Sequence, residues 1–174
     1  FAPQLHKGAT MERIVDAALA GLDANTGLIL CALYGDDPDL VMALVELAKS
    51  RKKVVGLDLA GGPTPGQNWS LLDYAPAFRA AQKLGLGRTV HAGEGRPPEE
   101  IRIAIETLAA QRIGHGTTLL DDPRVTELVL QKEITIEACP SSNVHTGVIP
   151  RTQSHPLKER LDLGIKVCVN TDNT

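Results

Sequence analysis

The sequence predicts a parallel α/β protein built as a (β/α)8 barrel. Three observations carry that reading. Six short β-rich runs alternate strictly with amphipathic helical runs, and such alternation gives a parallel sheet with crossover helices. No G-x-G-x-x-G turn follows a strand, as a doubly wound nucleotide fold would carry at its switch point. Polar residues stand instead at the C-terminal end of nearly every strand: Asp58, His91 with Glu94, His115, Ser142 with Asn143, and Asn170 with Asp172. Functional groups on successive strand tops are what a barrel offers.

The elements follow in order. A first helix is expected over 10–24 and a first strand over 26–34 (TGLILCALY). Asp37-Pro38 opens a helix over 38–51, with proline at the position where its missing N–H costs nothing. KVVGLDLA, 53–60, is the second strand. The Gly/Pro-rich stretch 61–71 follows it and reads as an active-site loop, not a domain boundary. A helix over 74–85 is closed by Gly85. RTVHAG, 88–93, is the third strand, followed by a helix over 97–111 opened by prolines and acids. RIGHG, 112–116, is a short strand, and a helix spans 122–133. ITIEACP, 134–140, is the fifth strand, 155–164 a short helix closed by Gly164, and KVCVNTD, 166–172, the last strand. No linker divides the chain, so a single domain over 1–174 is expected.

Composition removes several function classes. Net charge is −3, so there is no basic field for nucleic acid or for a membrane surface. Aromatics make up 3%, too few for base-stacking platforms. No apolar stretch approaches the roughly 20 residues of a membrane-spanning helix, and the opening FAPQLHKGAT has no signal-peptide core. Cys31, Cys139 and Cys168 are odd in number and each lies in an apolar run. They read as reduced core thiols of a cytoplasmic protein.

His91, His115 and Asp172 form the chemical constellation. Two imidazoles and a carboxylate from three strand tops suit zinc, with iron or manganese as weaker options. A catalytic metal keeps one position for water and lowers its pKa towards about 7. Glu94 lies three residues beyond His91 and is placed to carry a proton in the same cavity. Each residue has a plainer reading when taken singly. A strand-end histidine is more often a hydrogen-bonded structural residue, Asp172 could cap a following helix, Glu94 could be a solvated acid, and Asp58 could brace the Gly61-Gly62 loop. Together, in a parallel α/β frame, the plain readings need several independent coincidences.

DLAGG, VHAGE, RIGHG, EACPSSN, HP and VNTD occur in this order, and the ordered set resembles the adenosine deaminase family over nearly the whole chain. The resemblance implies a zinc-dependent (β/α)8 barrel that hydrolyses the 6-amino group of a purine nucleoside. It implies one Zn2+ held by His91 and Asp172, with Asp172 also contacting the attacking water. Glu94 would protonate purine N1, and His115 would orient or deprotonate the water. Gly61 would meet the purine through its backbone N–H, and Asp58 and Ser142 would stand behind the reacting groups. Attack at C6 builds charge on the ring, so a proton delivered to N1 lowers the barrier. A glutamate that is not a zinc ligand does comparable work in the unrelated base deaminases.

The sequence departs from the family twice. Asn173 replaces an aspartate that faces purine N7 in many members, and asparagine can either donate or accept there. Adenosine is the expected substrate, with a modified adenine nucleoside such as aminodeoxyfutalosine as the alternative. Second, the family's His-x-His zinc pair on its first strand has no counterpart: the five histidines are His6, His91, His115, His145 and His155. FAPQLH resembles the end of the family's second strand, so the six strands correspond to its third to eighth. The expectation is therefore an incomplete barrel, about six of eight strands, within a longer enzyme. An inactive relative or fragment acting as a binding module, and another metal-dependent amidohydrolase, are the competing readings. The partner is expected to be a small purine nucleoside, and no oligomeric state is implied.

Overall fold

The computed structural model describes residues 1–63 and 65–172. They form two compact units, one over Phe1–Arg88 and one from Thr89 onwards.

The first unit holds α1 (Met11–Ala20), β1 (Leu28–Leu33), α2 (Pro38–Ala48), β2 (Val54–Ala60) and α3 (Ala75–Lys83). The Thr10 side chain accepts from the Arg13 N–H and starts α1, while Asp37 caps α2 ahead of Pro38. β1 and β2 pair in parallel with Cys31 opposite Asp58. Alternation sends Leu30, Ala32, Leu57 and Leu59 to one face, where they are buried with Val41, Leu44 and Val45 of α2. The outer edge of β1 is occupied: the Phe1 ammonium donates to the Ile29 carbonyl at 3.0 Å, and the Cys31 N–H donates to the Phe1 carbonyl at 2.9 Å. Gly56 of β2 has no room for a side chain, since a Cβ there would stand 3.1 Å from the Gly87 carbonyl oxygen. Gly87 begins β3 (Gly87–Ala92).

The second unit continues β3 and adds α4 (Glu99–Glu106), β4 (Arg112–His115), α5 (Pro123–Gln131), β5 (Thr135–Ala138), α6 (Pro140–His145), α7 (Leu157–Asp162) and β6 (Lys166–Val169). The strands β3 to β6 pair in chain order, all parallel, and the register aligns His91 with Gly114, Glu137 and Cys168. Val90, Ile113 and Ile136 turn to the helical side and are fully buried with Ile101, Ala104 and Leu108. The other face carries a polar row. Thr89 Oγ1 donates to Glu137 Oε2 at 2.8 Å, Arg112 Nε to Glu137 Oε1 at 2.5 Å, and Arg112 Nη2 to Cys168 Sγ at 3.1 Å.

Six parallel strands in chain order, alternating with helices, are the pattern of a (β/α)8 barrel with about six of its eight strands. The doubly wound alternative would reverse strand order at a switch point. Three expectations need adjustment. The helices expected over 97–111 and 10–24 are shorter, because each gives way to a turn before its apolar pattern ends. A six-residue helix over Pro140–His145 was not anticipated; Pro140 sits at its first turn, where proline starts a helix and also ends the preceding strand. The cysteines are all free, but only Cys139 is buried; Cys31 and Cys168 are half-buried. Cys168 is half-buried because its side belongs to the polar face of the sheet. No described helix is long and apolar enough to cross a membrane.

Candidate active site

The second unit gathers its chemistry at the C-terminal ends of β3 to β6. Three backbone features shape the place. His115, the last residue of β4, has φ 62°, and Asp172, three residues past β6, has φ 68°. Both are left-handed, a conformation that non-glycine residues adopt rarely and that clusters at functional sites. Gly93 is also left-handed, at φ 65°; a Cβ there would meet Ile101 Cδ1 at 2.7 Å and Thr118 Oγ1 at 2.8 Å. Only glycine satisfies both demands at that position.

The loop after β3 is braced to the loop after β4. The Gly93 carbonyl accepts from Thr117 Oγ1 at 2.8 Å, from Thr118 Oγ1 at 3.2 Å and from the Thr118 N–H at 3.1 Å. The Gly93 N–H donates to Glu100 Oε2 at 3.2 Å, and Glu100 also pairs with Arg96 at 2.8 Å. Glu94 is therefore carried on a fixed segment, not on a loose tip.

Glu94 and His115 meet through one amide. Asn143 Nδ2 donates to Glu94 Oε1 at 3.2 Å and lies 3.0 Å from His115 Nδ1. The carboxylate and that ring nitrogen are 3.6 Å apart. Asn143 is fully buried, and its two amide hydrogens suffice for one bond to each neighbour. With Nδ1 as acceptor, a neutral His115 carries its proton on Nε2. Thr146 Oγ1 adds a longer contact to Glu94 Oε1, at 3.4 Å.

His91 packs edge-on against His115, with ring centroids 5.0 Å apart. Gly114, its neighbour across the β3–β4 ladder, makes room: a Cβ there would stand 2.7 Å from His91 Cδ2. Burial, reinforced by the nearby His115 ring, pushes the His91 pKa down to about 4. The ring is neutral at pH 7 and keeps a lone pair for a Lewis acid. Asp172 accepts from Ser142 Oγ at 2.5 Å, which fixes its carboxylate.

One nitrogen of His115, Cys139 Sγ and a carboxylate oxygen of Asp172 lie within 4.8 Å of one another. His91, the expected ligand, stands beside that trio and outside it. The nitrogen, oxygen and sulfur donors suit a zinc-like cation. Burial first, then the Asp172 charge, pushes the Cys139 thiol up to about 11, so it stays protonated at neutral pH. Next to the Ser142–Asp172 pair, Ser141, Ser142, His145 and Thr171 line a cavity of about 280 Å³.

Of the residues singled out from sequence, His91, Glu94, His115 and Asp172 come together in this unit. Asp58 and Gly61 belong to the first unit. Asp58 lies opposite Cys31 on β2, whose thiol is raised to about 12 by burial and then by the Asp58 charge. Gly61 follows β2 at φ 79°. Asn173 lies outside the described residues. Asn143 stood out in sequence only as a polar neighbour of Ser142, and the structure places both on α6; Thr117, Thr118 and Glu100 carried no sequence signal of a role.

The family model described as adenosine deaminase matches residues 2–174. An adenosine deaminase of Clostridium kluyveri is 37% identical over 190 residues, covering 100% of this chain and 52% of its own length. The chain thus spans about half the length of the curated relatives it matches. Among solved structures, an adenine deaminase from Arthrobacter aurescens superposes with a TM-score of 0.85 at 28% identity, covering 99% of this chain and 55% of its own. An amidohydrolase from Burkholderia ambifaria with bound Zn shares the fold with a TM-score of 0.73 at 24% identity, covering 93% and 45%. The order of the strands, the polar strand tops and these matches agree: the chain belongs to the adenosine deaminase family.

Proposed function

We propose that this chain carries the proton-transfer half of a zinc-dependent deaminase that converts a 6-aminopurine nucleoside, adenosine foremost, to its 6-oxo product and ammonia. The observation that carries the reading is the Asn143 bridge, which sets Glu94 and His115 3.6 Å apart beside Asp172. Family membership and the Zn-bound relative support the metal.

His91 and Asp172 would hold the zinc, which supplies a water acidified towards neutral pH when bound. The protein's own groups divide the remaining work. Glu94, as the carboxylic acid, gives its proton to purine N1 while water oxygen bonds to C6. His115, with Nδ1 occupied by the Asn143 amide, presents Nε2 to that water and orients it. One water proton leaves with the 6-amino group as ammonia, and the other restores Glu94. Asp172 is held by Ser142 for contact with the same water. Asp58, Gly61 and Asn173 keep the substrate-binding roles that the family resemblance implies. The soluble, cytoplasmic setting and the single-domain organisation over 1–174 belong to the same proposal.

The test uses the natural gene product that carries these residues. Adenosine, deoxyadenosine and aminodeoxyfutalosine are compared by ammonia release and ultraviolet shift, with zinc counted in the same sample. The reading expects about one zinc per site and turnover of at least one of the three. A zinc-loaded protein that turns over none of them, but prefers a non-purine amide, refutes it.

A further inference from the structure

The site contains a buried cation that the reaction does not use. Arg160 of α7 is fully buried, at 0% exposure. It has no ion-pair partner among the described residues, although a buried charge is costly unless something compensates it. Its compensation is two backbone carbonyls. Nη1 donates to the His115 carbonyl at 3.2 Å, and Nη2 donates to the Gly116 carbonyl. A planar guanidinium presents two donors in a fixed fork, so it fits two neighbouring acceptors that a single ammonium would fill less well.

Those two carbonyls belong to the left-handed pair at the end of β4. His115 has φ 62° and Gly116 has φ 55°. Glycine accepts that conformation without cost, and histidine does not. An extended His115 would carry its ring away from its present partners, because a change of φ swings the side chain around the chain axis. The strained conformation is therefore what brings Nδ1 to within 3.0 Å of Asn143 Nδ2 and 3.6 Å of Glu94. Strain of this kind persists where surrounding contacts over-determine it. The Gly116 N–H, which donates to the Ala92 carbonyl at 3.1 Å, holds the turn from the β3 side. Arg160 holds it from the helical side.

We propose that Arg160 is a positioning residue: its guanidinium locks the left-handed His115–Gly116 turn and so delivers the His115 ring to Asn143 and Glu94. The proposal rests on the reading of His115 as a water-orienting group. His155 extends the same arrangement. It is buried, with neither ring nitrogen hydrogen-bonded among the described residues, and its charge is disfavoured by burial and then by Arg160. A neutral ring there keeps a second cation away from the guanidinium.

The test is Arg160→Met and Arg160→Lys in the natural gene product. A reactive group displaced by about 1 Å can cost about 10²-fold. Arg160→Met is expected to lower kcat about 10²-fold, with KM within about threefold and zinc content unchanged. Arg160→Lys, which keeps the charge but not the fork, is expected to recover part of the loss. A folded Arg160→Met with parental kcat overturns the proposal. If Arg160→Met does not fold, Arg160→Lys decides: a parental kcat overturns the proposal, and a loss of about tenfold supports it. A second readout needs no substrate. The ring ¹⁵N resonances of His115, assigned with His115→Gln, are expected to shift in Arg160→Lys, and unchanged resonances overturn the proposal. A parent that deaminates nothing refutes the catalytic reading while leaving the ring resonances to judge the positioning.

Discussion

Replacing Asn143 with alanine removes a side chain that touches both proposed proton-handling groups. Two hydrogen bonds vanish, one to Glu94 at 3.2 Å and one to His115 at 3.0 Å. A neutral bond is worth about 0.5–1.5 kcal/mol net, and one to a charged group about 1.5–3 kcal/mol. The two together are worth roughly 2–4 kcal/mol. His115 is 2% exposed, so water cannot easily replace the amide at Nδ1. About 2 kcal/mol of that sum, expressed in the transition state, gives a roughly 30-fold fall in kcat/KM. Asn143→Asp keeps the volume but sets a second carboxylate against Glu94, so its loss should be larger. The assay is initial-rate ammonia release, with folding and zinc content checked on each variant. A folded, zinc-loaded Asn143→Ala within about threefold of the parent in kcat/KM would show that the amide bridge does not serve catalysis.

Further outcomes follow from other contacts. Ser142→Ala frees the Asp172 carboxylate and is expected to weaken zinc binding about 10–100-fold, measured by competition with a chelator; unaltered affinity contradicts the bracing role. Gly114→Ala puts a Cβ 2.7 Å from the His91 ring, so both zinc content and Tm should fall, and neither should be spared. His155 has its folded pKa pushed down to about 4 from an ordinary 6.5, so the unfolded chain binds more protons between those values. Its stability contribution is complete above about pH 6.5 and is lost as pH falls through about 4, roughly 3 kcal/mol in all. Urea unfolding across that window should show a shallower slope in His155→Phe; His91 shares the window, so the slope is reduced, not abolished.

The barrel class was legible because nearly every strand is followed by a polar residue and each helix carries its own start signal. Asp37-Pro38 and Asp122-Pro123 open α2 and α5 where the pattern places them. The Pro140–His145 helix was not legible: six residues are too short to show a 3.6-residue period. The four strand-top residues His91, Glu94, His115 and Asp172 were legible as a group, because parallel topology brings strand ends together whatever their separation in sequence. Their supports were less so. Nothing in HPLKERLDLG marks Arg160 as buried, since an arginine on a short helix ordinarily faces solvent. The left-handed turn at His115 was equally hidden, because only a glycine advertises such a conformation in sequence. Cys168 misled in the opposite way: it sits in an apolar run, yet its side chain meets Arg112 on the polar face and its neighbour Val169 is exposed.

In the proposed reaction Glu94 supplies the proton for deamination of a 6-aminopurine nucleoside. Glu94→Gln tests it most directly, because the amide keeps the shape and loses the acid. The parent is expected to release one ammonia for each 6-oxopurine formed, and Glu94→Gln to retain zinc while kcat falls about 10²–10⁴-fold. A folded, zinc-loaded Glu94→Gln that turns over at the parental rate would contradict it.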